Sequence, residues 1–279
     1  MTGHPQPATR NPQPTAAERP WAVVTGASSG IGEALARELA GSGHDLVLVA
    51  RDGGKLARLA DALGREHGAA ARVFARDLSD PAATREVGEA LAREEVPVAV
   101  LVNNAGFGVH GPFARTDLGR ELALVRVQVD TLLILTKACL PGMLRRRAGR
   151  ILNVASVYAY SPVPQQAVYA ATKAFMLSFS ESLAAELGGT GVSVTVLCPG
   201  ITATAFRARA GMGERPSRLS MTPEAVAAIG CRGLFRNEAV VVPGAANALY
   251  VTVSKLLPRR AFAAVTRRVN RRRGLGADS

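Results

Sequence analysis

The chain has 279 residues, enough for one large domain or two small ones, and 48% of them are apolar, ample for a buried core. Its formal charge of +12 is uneven: Lys255 to Ser279 carries eight basic residues against Asp278, a net +7, which places the basicity in a tail and argues against a nucleic-acid-binding domain. No apolar run is long enough to span a bilayer, the three cysteines (Cys139, Cys198, Cys231) have no disulfide or metal-ligand spacing, and the four histidines cluster with nothing, which speaks against a zinc site or a Ser/His/Asp triad.

Residues 1–19 are rich in Pro, Thr and Gln and read as a disordered leader, neither signal peptide nor anchor, ahead of a cytoplasmic protein. A domain is expected over residues 20–245, followed by a basic amphipathic extension over 246–279. Trp21 to Thr25 is a β-prone run. Gly26-Ala27-Ser28-Ser29-Gly30-Ile31-Gly32 follows, and Glu33 to Ala40 has helix composition. Strand, glycine turn and helix in that order suit a diphosphate, because glycines let the backbone approach closely and the helix N-terminus offers free N–H groups. Asp45 to Ala50 is an unbroken apolar strand after its first residue, as a parallel strand covered on both faces should be. It ends at Arg51, where a guanidinium suits a ribose 2′-phosphate and a carboxylate would suit a free 2′-hydroxyl. That favours NADP(H) over NAD(H), with Asp52 next door blurring the choice.

Lys55 to His67 reads as a helix and Ala71 to Arg76 as a strand ending at Asp77-Leu78. Asp77 has two readings, an acceptor for an adenine amino group or a cap for the helix after Pro81, although Ser79 and Asp80 stand closer to that cap. A helix over Ala82 to Glu95 leads to a strand over Val98 to Val102 and then Asn103-Asn104-Ala105-Gly106. A long helical pattern fills Asp117 to Met143, with Pro141 and Gly142 near its end. The next strand, Arg150 to Val154, has Ser156 just past it. Ala167 to Leu187 is helical, with Tyr169 and Lys173 one turn apart on one face, a spacing at which an ammonium can lower a phenol's pKa and fit it for proton transfer. Val192 to Leu197 is the sixth strand, ending at Pro199-Gly200. Thr202 to Ser220 reads either as a lid over substrate or as a plain surface loop. Pro223 to Phe235 is helical and Ala239 to Val242 is a last strand. Gly26, Arg51, Asp77, Asn104, Ser156 and Pro199 all fall at the carboxyl ends of strands, where open α/β sheets bind their ligands.

These motifs in this order resemble the short-chain dehydrogenase/reductase family from about Pro20 to Gly244. The resemblance implies a doubly wound Rossmann-type α/β fold, a seven-stranded, mostly parallel sheet flanked by helices, here with a basic C-terminal helical extension. It implies a nicotinamide cofactor held by Gly26, Ser28, Ser29, Gly30, Ile31, Gly32, Arg51, Asp77, Leu78, Asn104, Ala105, Gly106, Tyr169, Lys173, Pro199, Gly200, Ile201 and Thr204. It implies a catalytic set of Ser156, Tyr169 and Lys173: Tyr169 exchanges the proton, Ser156 binds the substrate oxygen, and Lys173 lowers the phenol's pKa and binds the nicotinamide ribose. Family members usually carry an Asn at the place of Gln128, where it holds a water that completes a proton relay with the lysine. Gln keeps the amide and adds a methylene, so the relay shifts. The implied reaction interconverts a ketone or aldehyde with its alcohol, and Tyr158, Tyr160, Phe206 and Met212 favour a hydrophobic substrate. The alternative is a nucleotide-binding sensor or scaffold with little turnover. The family suggests a homodimer or homotetramer. Ala246 to Leu257 and Arg260 to Val269 are amphipathic and basic, which fits either peripheral membrane contact or a helix packed over the substrate pocket or a subunit interface with its charges solvated.

Overall fold

Seven strands, β1 (Trp21–Thr25), β2 (Asp45–Ala50), β3 (Ala71–Ala75), β4 (Val98–Asn103), β5 (Gly149–Val154), β6 (Val192–Leu197) and β7 (Val240–Val241), form one sheet in the order β3-β2-β1-β4-β5-β6-β7. Every pairing is parallel, where the sequence suggested a mostly parallel sheet. The computed structural model describes residues 19–93, 97–210 and 220–272. The expected leader, the end of the helix expected to reach Glu95, Met212 and the last residues of the tail lie outside them.

The helices are α1 (Gly30–Gly41), α2 (Gly53–His67), α3 (Pro81–Ala92), α4 (Leu118–Val125), α5 (Thr131–Arg146), α6 (Ala167–Glu186), α7 (Phe206–Arg209), α8 (Pro223–Phe235), α9 (Ala245–Leu256) and α10 (Arg259–Arg272). On one sheet face Leu35 and Leu39 of α1, Leu56 and Leu63 of α2 and Val226 and Leu234 of α8 bury against Val24, Leu46 and Leu48. On the other, Val87 of α3, Leu135 and Met143 of α5 and Leu183 of α6 bury against Val23, Val47 and Leu101. Covering both faces explains why β2 is apolar without alternation. Several starts are written locally: Asp52, Asp80, Asp117 and Thr222 each accept a backbone N–H at the head of α2, α3, α4 and α8.

The pattern expected over Asp117 to Met143 is two α-helices joined by a π-turn over Arg126–Asp130. α5 also runs through Pro141 to Arg146, past the expected end. Fully buried Met143 holds down the turn beyond the proline, and Arg147 stops the helix in the left-handed region (φ 52°). The chain runs outward from β1 to β3, returns, and runs outward again from β4 to β7. The order therefore reverses beside β1, opening a crevice at the carboxyl ends of β1 and β4.

Candidate active site

The glycine turn after β1 is packed against the turn after β4. Gly26 and Gly30 adopt positive φ (69° and 60°), and the Gly26 N–H donates to the Val49 carbonyl at 2.8 Å. Gly32 has no room for a side chain, since a Cβ there would strike the Gly26 carbonyl oxygen and Asn104 Nδ2. Thr25 Oγ1 donates to the Val102 carbonyl (3.2 Å) and accepts from the Asn104 and Ala105 N–H groups (3.0 Å each), while Asn104 Nδ2 donates to the Thr25 carbonyl (2.9 Å). Thr25, absent from the expected site, thus fixes the crevice floor; its place directly before Gly26 was the available signal. Ser29 makes no side-chain cap, so the first N–H groups of α1 have no side-chain acceptor from it. Ser28 lies half-buried in the turn, and Ile31 packs its side chain into the core. Thr204 reaches back over this turn: a Cβ on Gly30 would lie 3.0 Å from Thr204 Cγ2. This cradle of bare backbone with an uncapped helix start fits a dinucleotide diphosphate.

At the ends of β2 and β3, the Arg51 side chain is 70% exposed, with Nη1 3.9 Å from Asp77 Oδ2. Asp52 is turned toward α2, where it accepts the Lys55 N–H at 2.9 Å, and that hydrogen bond holds its carboxyl below the usual value. Asp77 accepts from the backbone N–H (2.9 Å) and hydroxyl (2.8 Å) of Ser79, whereas the α3 cap is Asp80. The cap reading of Asp77 therefore falls to its neighbour. Leu78 is buried, and its carbonyl accepts from Thr84 Oγ1.

The reacting groups converge on α6 and on the loop after β5. Tyr169 and Lys173 share the buried face of α6, at 8% and 4% exposure. The Ser156 hydroxyl hydrogen-bonds the Tyr169 side chain and accepts the Tyr158 N–H at 3.2 Å, which holds the short turn Val157–Tyr160. Lys173 Nζ donates to the Val154 carbonyl at 2.8 Å, contacts Met176 Sδ at 3.4 Å and lies 5.6 Å from the Tyr169 ring centroid. The electrostatics differ from the expected ones. Burial pushes the Tyr169 phenol above its ordinary pKa, the Ser156 bond opposes that rise, and Tyr158 adds to it. Burial also lowers the Lys173 ammonium to about 7. That ammonium is committed to the Val154 carbonyl, while the phenol's partner is Ser156.

Gln128 lies in the π-turn and is 1% exposed. Its Nε2 donates to the Phe107 carbonyl (2.8 Å) and its Oε1 accepts from Thr172 Oγ1 (2.9 Å). The longer side chain reaches across to α6 and ties it to the loop after Asn104-Ala105-Gly106, so its bonds go to Thr172 and Phe107 rather than to Lys173. A Cβ on Gly106 would lie 3.2 Å from Gln128 Nε2. Deeper, Asn103 Nδ2 donates to Asn153 Oδ1 (2.9 Å) and Asn153 Nδ2 to Ser180 Oγ (2.9 Å), cross-linking β4, β5 and α6.

An aromatic wall stands over Tyr169. Phe206 of α7 lies 5.5 Å from its ring and Tyr158 6.4 Å edge-on. Tyr250 of α9 lies 6.5 Å from Tyr158, hydrogen-bonds Ser161 Oγ at 2.7 Å and meets Phe262 of α10 edge-on at 5.4 Å. Asn247 occupies the space beside Gly200 and donates to the Pro243 carbonyl at 2.6 Å, so the start of α9 packs against Gly200. The inner face of α9 therefore packs over the site, which leaves its outer face to be accounted for. Tyr250, Ser161 and Asn247 were not anticipated; Tyr250 is the one aromatic residue of α9, which was the sole hint.

A family model described as short chain dehydrogenase matches residues 20–214. The chain is 40% identical over 181 residues to a short chain dehydrogenase of Pseudocercospora fijiensis, covering 64% of this chain and 58% of that one. Among solved structures it is similar to a short-chain dehydrogenase from Sphingobium yanoikuyae in complex with NADPH, at 34% identity and a TM-score of 0.78, covering 85% of this chain and 94% of that one. It is also similar to the bulky-bulky ketone specific alcohol dehydrogenase from Comamonas testosteroni, at 31% identity and a TM-score of 0.74, covering 85% and 92%. Another solved neighbour is in complex with NAD.

Proposed function

The chain belongs to the short-chain dehydrogenase/reductase family, and on that premise we propose that it is an NADP(H)-dependent oxidoreductase interconverting a hydrophobic ketone or aldehyde with its alcohol. The observation that carries this is the convergence of Ser156, Tyr169 and Lys173 beside the cradle of Gly26, Gly30, Gly32 and Asn104. Bound there, the nicotinamide supplies or accepts the hydride. The Tyr169 hydroxyl donates its proton to the substrate oxygen during reduction and takes it back during oxidation. The Ser156 hydroxyl donates a hydrogen bond to that oxygen, and two donors aimed at developing charge in a water-poor site stabilise it. Lys173 supplies N–H donors and a charge that titrates near neutrality.

Preference for NADP(H) rests on Arg51, an exposed cation loosely held by Asp77, with Asp52 turned away to cap α2. A hydrophobic substrate follows from the wall of Tyr158, Phe206 and Tyr250, and the similarity to a bulky-ketone enzyme supports it. Leu118, Leu122 and Phe175 stand exposed beside a groove lined by Val125, Val129 and Ala171, the face we assign to a second copy in a homodimer or homotetramer. The second reading is a nucleotide-binding sensor with little turnover, which the commitment of both ends of the Gln128 amide favours.

The test is NADPH oxidation with a panel of aliphatic and aryl ketones. Turnover removes the sensor reading. Tyr169→Phe should lower kcat by about 10²- to 10⁴-fold with NADPH affinity kept, and near wild-type turnover would refute the assignment. Arg51→Ala should weaken NADPH roughly tenfold or more and leave NADH unchanged; equal losses would refute the 2′-phosphate role.

A further inference from the structure

α9 has two unlike faces. Tyr250, Val251 and Ser254 turn inward, onto the wall above Tyr169. Leu249 (65% exposed), Val253, Leu256 (77% exposed) and Leu257 turn outward. At 100° per residue Leu249, Val253 and Leu256 fall within an arc of about 60°, a continuous apolar stripe that Leu257 extends just past the end of the helix. Scattered exposed leucines are ordinary on a soluble surface, whereas four on one helical stripe mark a contact surface.

The charge around the stripe says what kind of contact it is. From Ala239 to Ala277 the sequence holds eight basic residues and no acidic one. Arg260 and Arg268 are exposed on α10, which follows α9 after Pro258 and is pinned to it by Phe262 against Tyr250. A second copy docking through this region would set one cationic surface against another. A nucleic acid would use the arginines and leave the leucines in water. Leucines and valine on one stripe, with arginines beside them, complement an anionic lipid surface, whose headgroups meet cations and whose acyl boundary takes apolar side chains.

We propose that α9 and α10 dock this protein on an anionic membrane surface, with Leu249, Val253, Leu256 and Leu257 entering the interface and the α10 arginines engaging the headgroups. The same helix that closes the substrate wall through Tyr250 would then face the bilayer. The proposal does not depend on turnover.

The full chain is sedimented with vesicles of phosphatidylcholine alone and of phosphatidylcholine with about one third phosphatidylglycerol, at 0.1 M and 0.5 M salt. Binding is expected to the anionic vesicles, at least about tenfold weaker to the neutral ones, and weakened by the higher salt. The double variant Leu249→Ser/Leu256→Ser, which keeps the charge constant, should bind anionic vesicles about tenfold less or worse. Arg260→Glu/Arg268→Glu should lose the preference for anionic lipid. The wild-type comparison of the two vesicle types decides even if a variant misfolds. Equal or absent binding to both vesicles overturns the proposal. So does a leucine variant that binds like wild type and is retained with it on duplex DNA, the signature of a polyanion surface. An oligomer that the leucine variant dissociates, with no vesicle binding by either protein, overturns it in favour of a contact between copies.

Discussion

Replacing Lys173 with methionine removes a titrating group and keeps most of its buried volume. In the fold, burial brings the ammonium from 10.5 down to about 7; in the unfolded chain it stays protonated to near its ordinary value. Between those limits the unfolded chain binds more protons than the native one, so stability rises with pH. Integrated from pH 7 to pH 9, this one group contributes a gain of about 2 kcal/mol. Few other groups interfere. His44, lowered by burial, acts below the window. Buried Cys139 and Cys231, each raised to about 12, begin to oppose the gain near pH 9 equally in both proteins, and Cys198, also raised to about 12, is the one thiol that feels the Lys173 charge. Urea unfolding of wild type and Lys173→Met at pH 7, 8 and 9 therefore isolates the lysine as the difference in slope. Wild type should gain about 2 kcal/mol more than the variant across the window. Parallel curves would refute the claim that this lysine is buried with a depressed pKa.

Two further substitutions test the scaffold around the reacting groups. Gly32→Ala places a methyl against the Gly26 carbonyl and Asn104, so it should cost roughly 1–3 kcal/mol and abolish saturable quenching of Trp21 fluorescence by NADPH; unchanged melting and binding would show that the turn is not packed as described. Gln128→Met keeps the side-chain length but strands the Phe107 carbonyl, while the Thr172 hydroxyl keeps its bond to the Tyr169 carbonyl, a loss of about 1–3 kcal/mol by urea denaturation. A loss under about 0.5 kcal/mol would mean that water replaces the amide there.

Much of the site was legible in the sequence because its signals are local. Gly26, Gly30 and Gly32 announce a tight turn by residue type, and the apolar run of β2 announces a doubly covered strand. The four-residue step from Tyr169 to Lys173 needs only a helix to bring the two together. Their electrostatics were not legible. Spacing shows that an ammonium stands near a phenol, but desolvation depends on everything packed around them, and here Val109, Leu124 and Phe206 close over Tyr169 while the Val154 carbonyl draws Lys173 aside. The partners of Gln128 were equally hidden, since Thr172 lies 44 positions away and Phe107 21. The Tyr250 bond to Ser161 spans 89 positions, and no periodicity in α9 could disclose it.

That last bond joins two regions far apart in the chain. The floor of the glycine turn is closed by contacts among residues before 106, whereas the aromatic wall over Tyr169 is completed by a helix near the end of the chain. The floor is thus built from early residues, while Thr204, which reaches over that turn, and the aromatic wall come from later ones. On the function proposed above, changes confined to the tail would reshape the wall over Tyr169 while Ser156, Tyr169 and Lys173 stay in place.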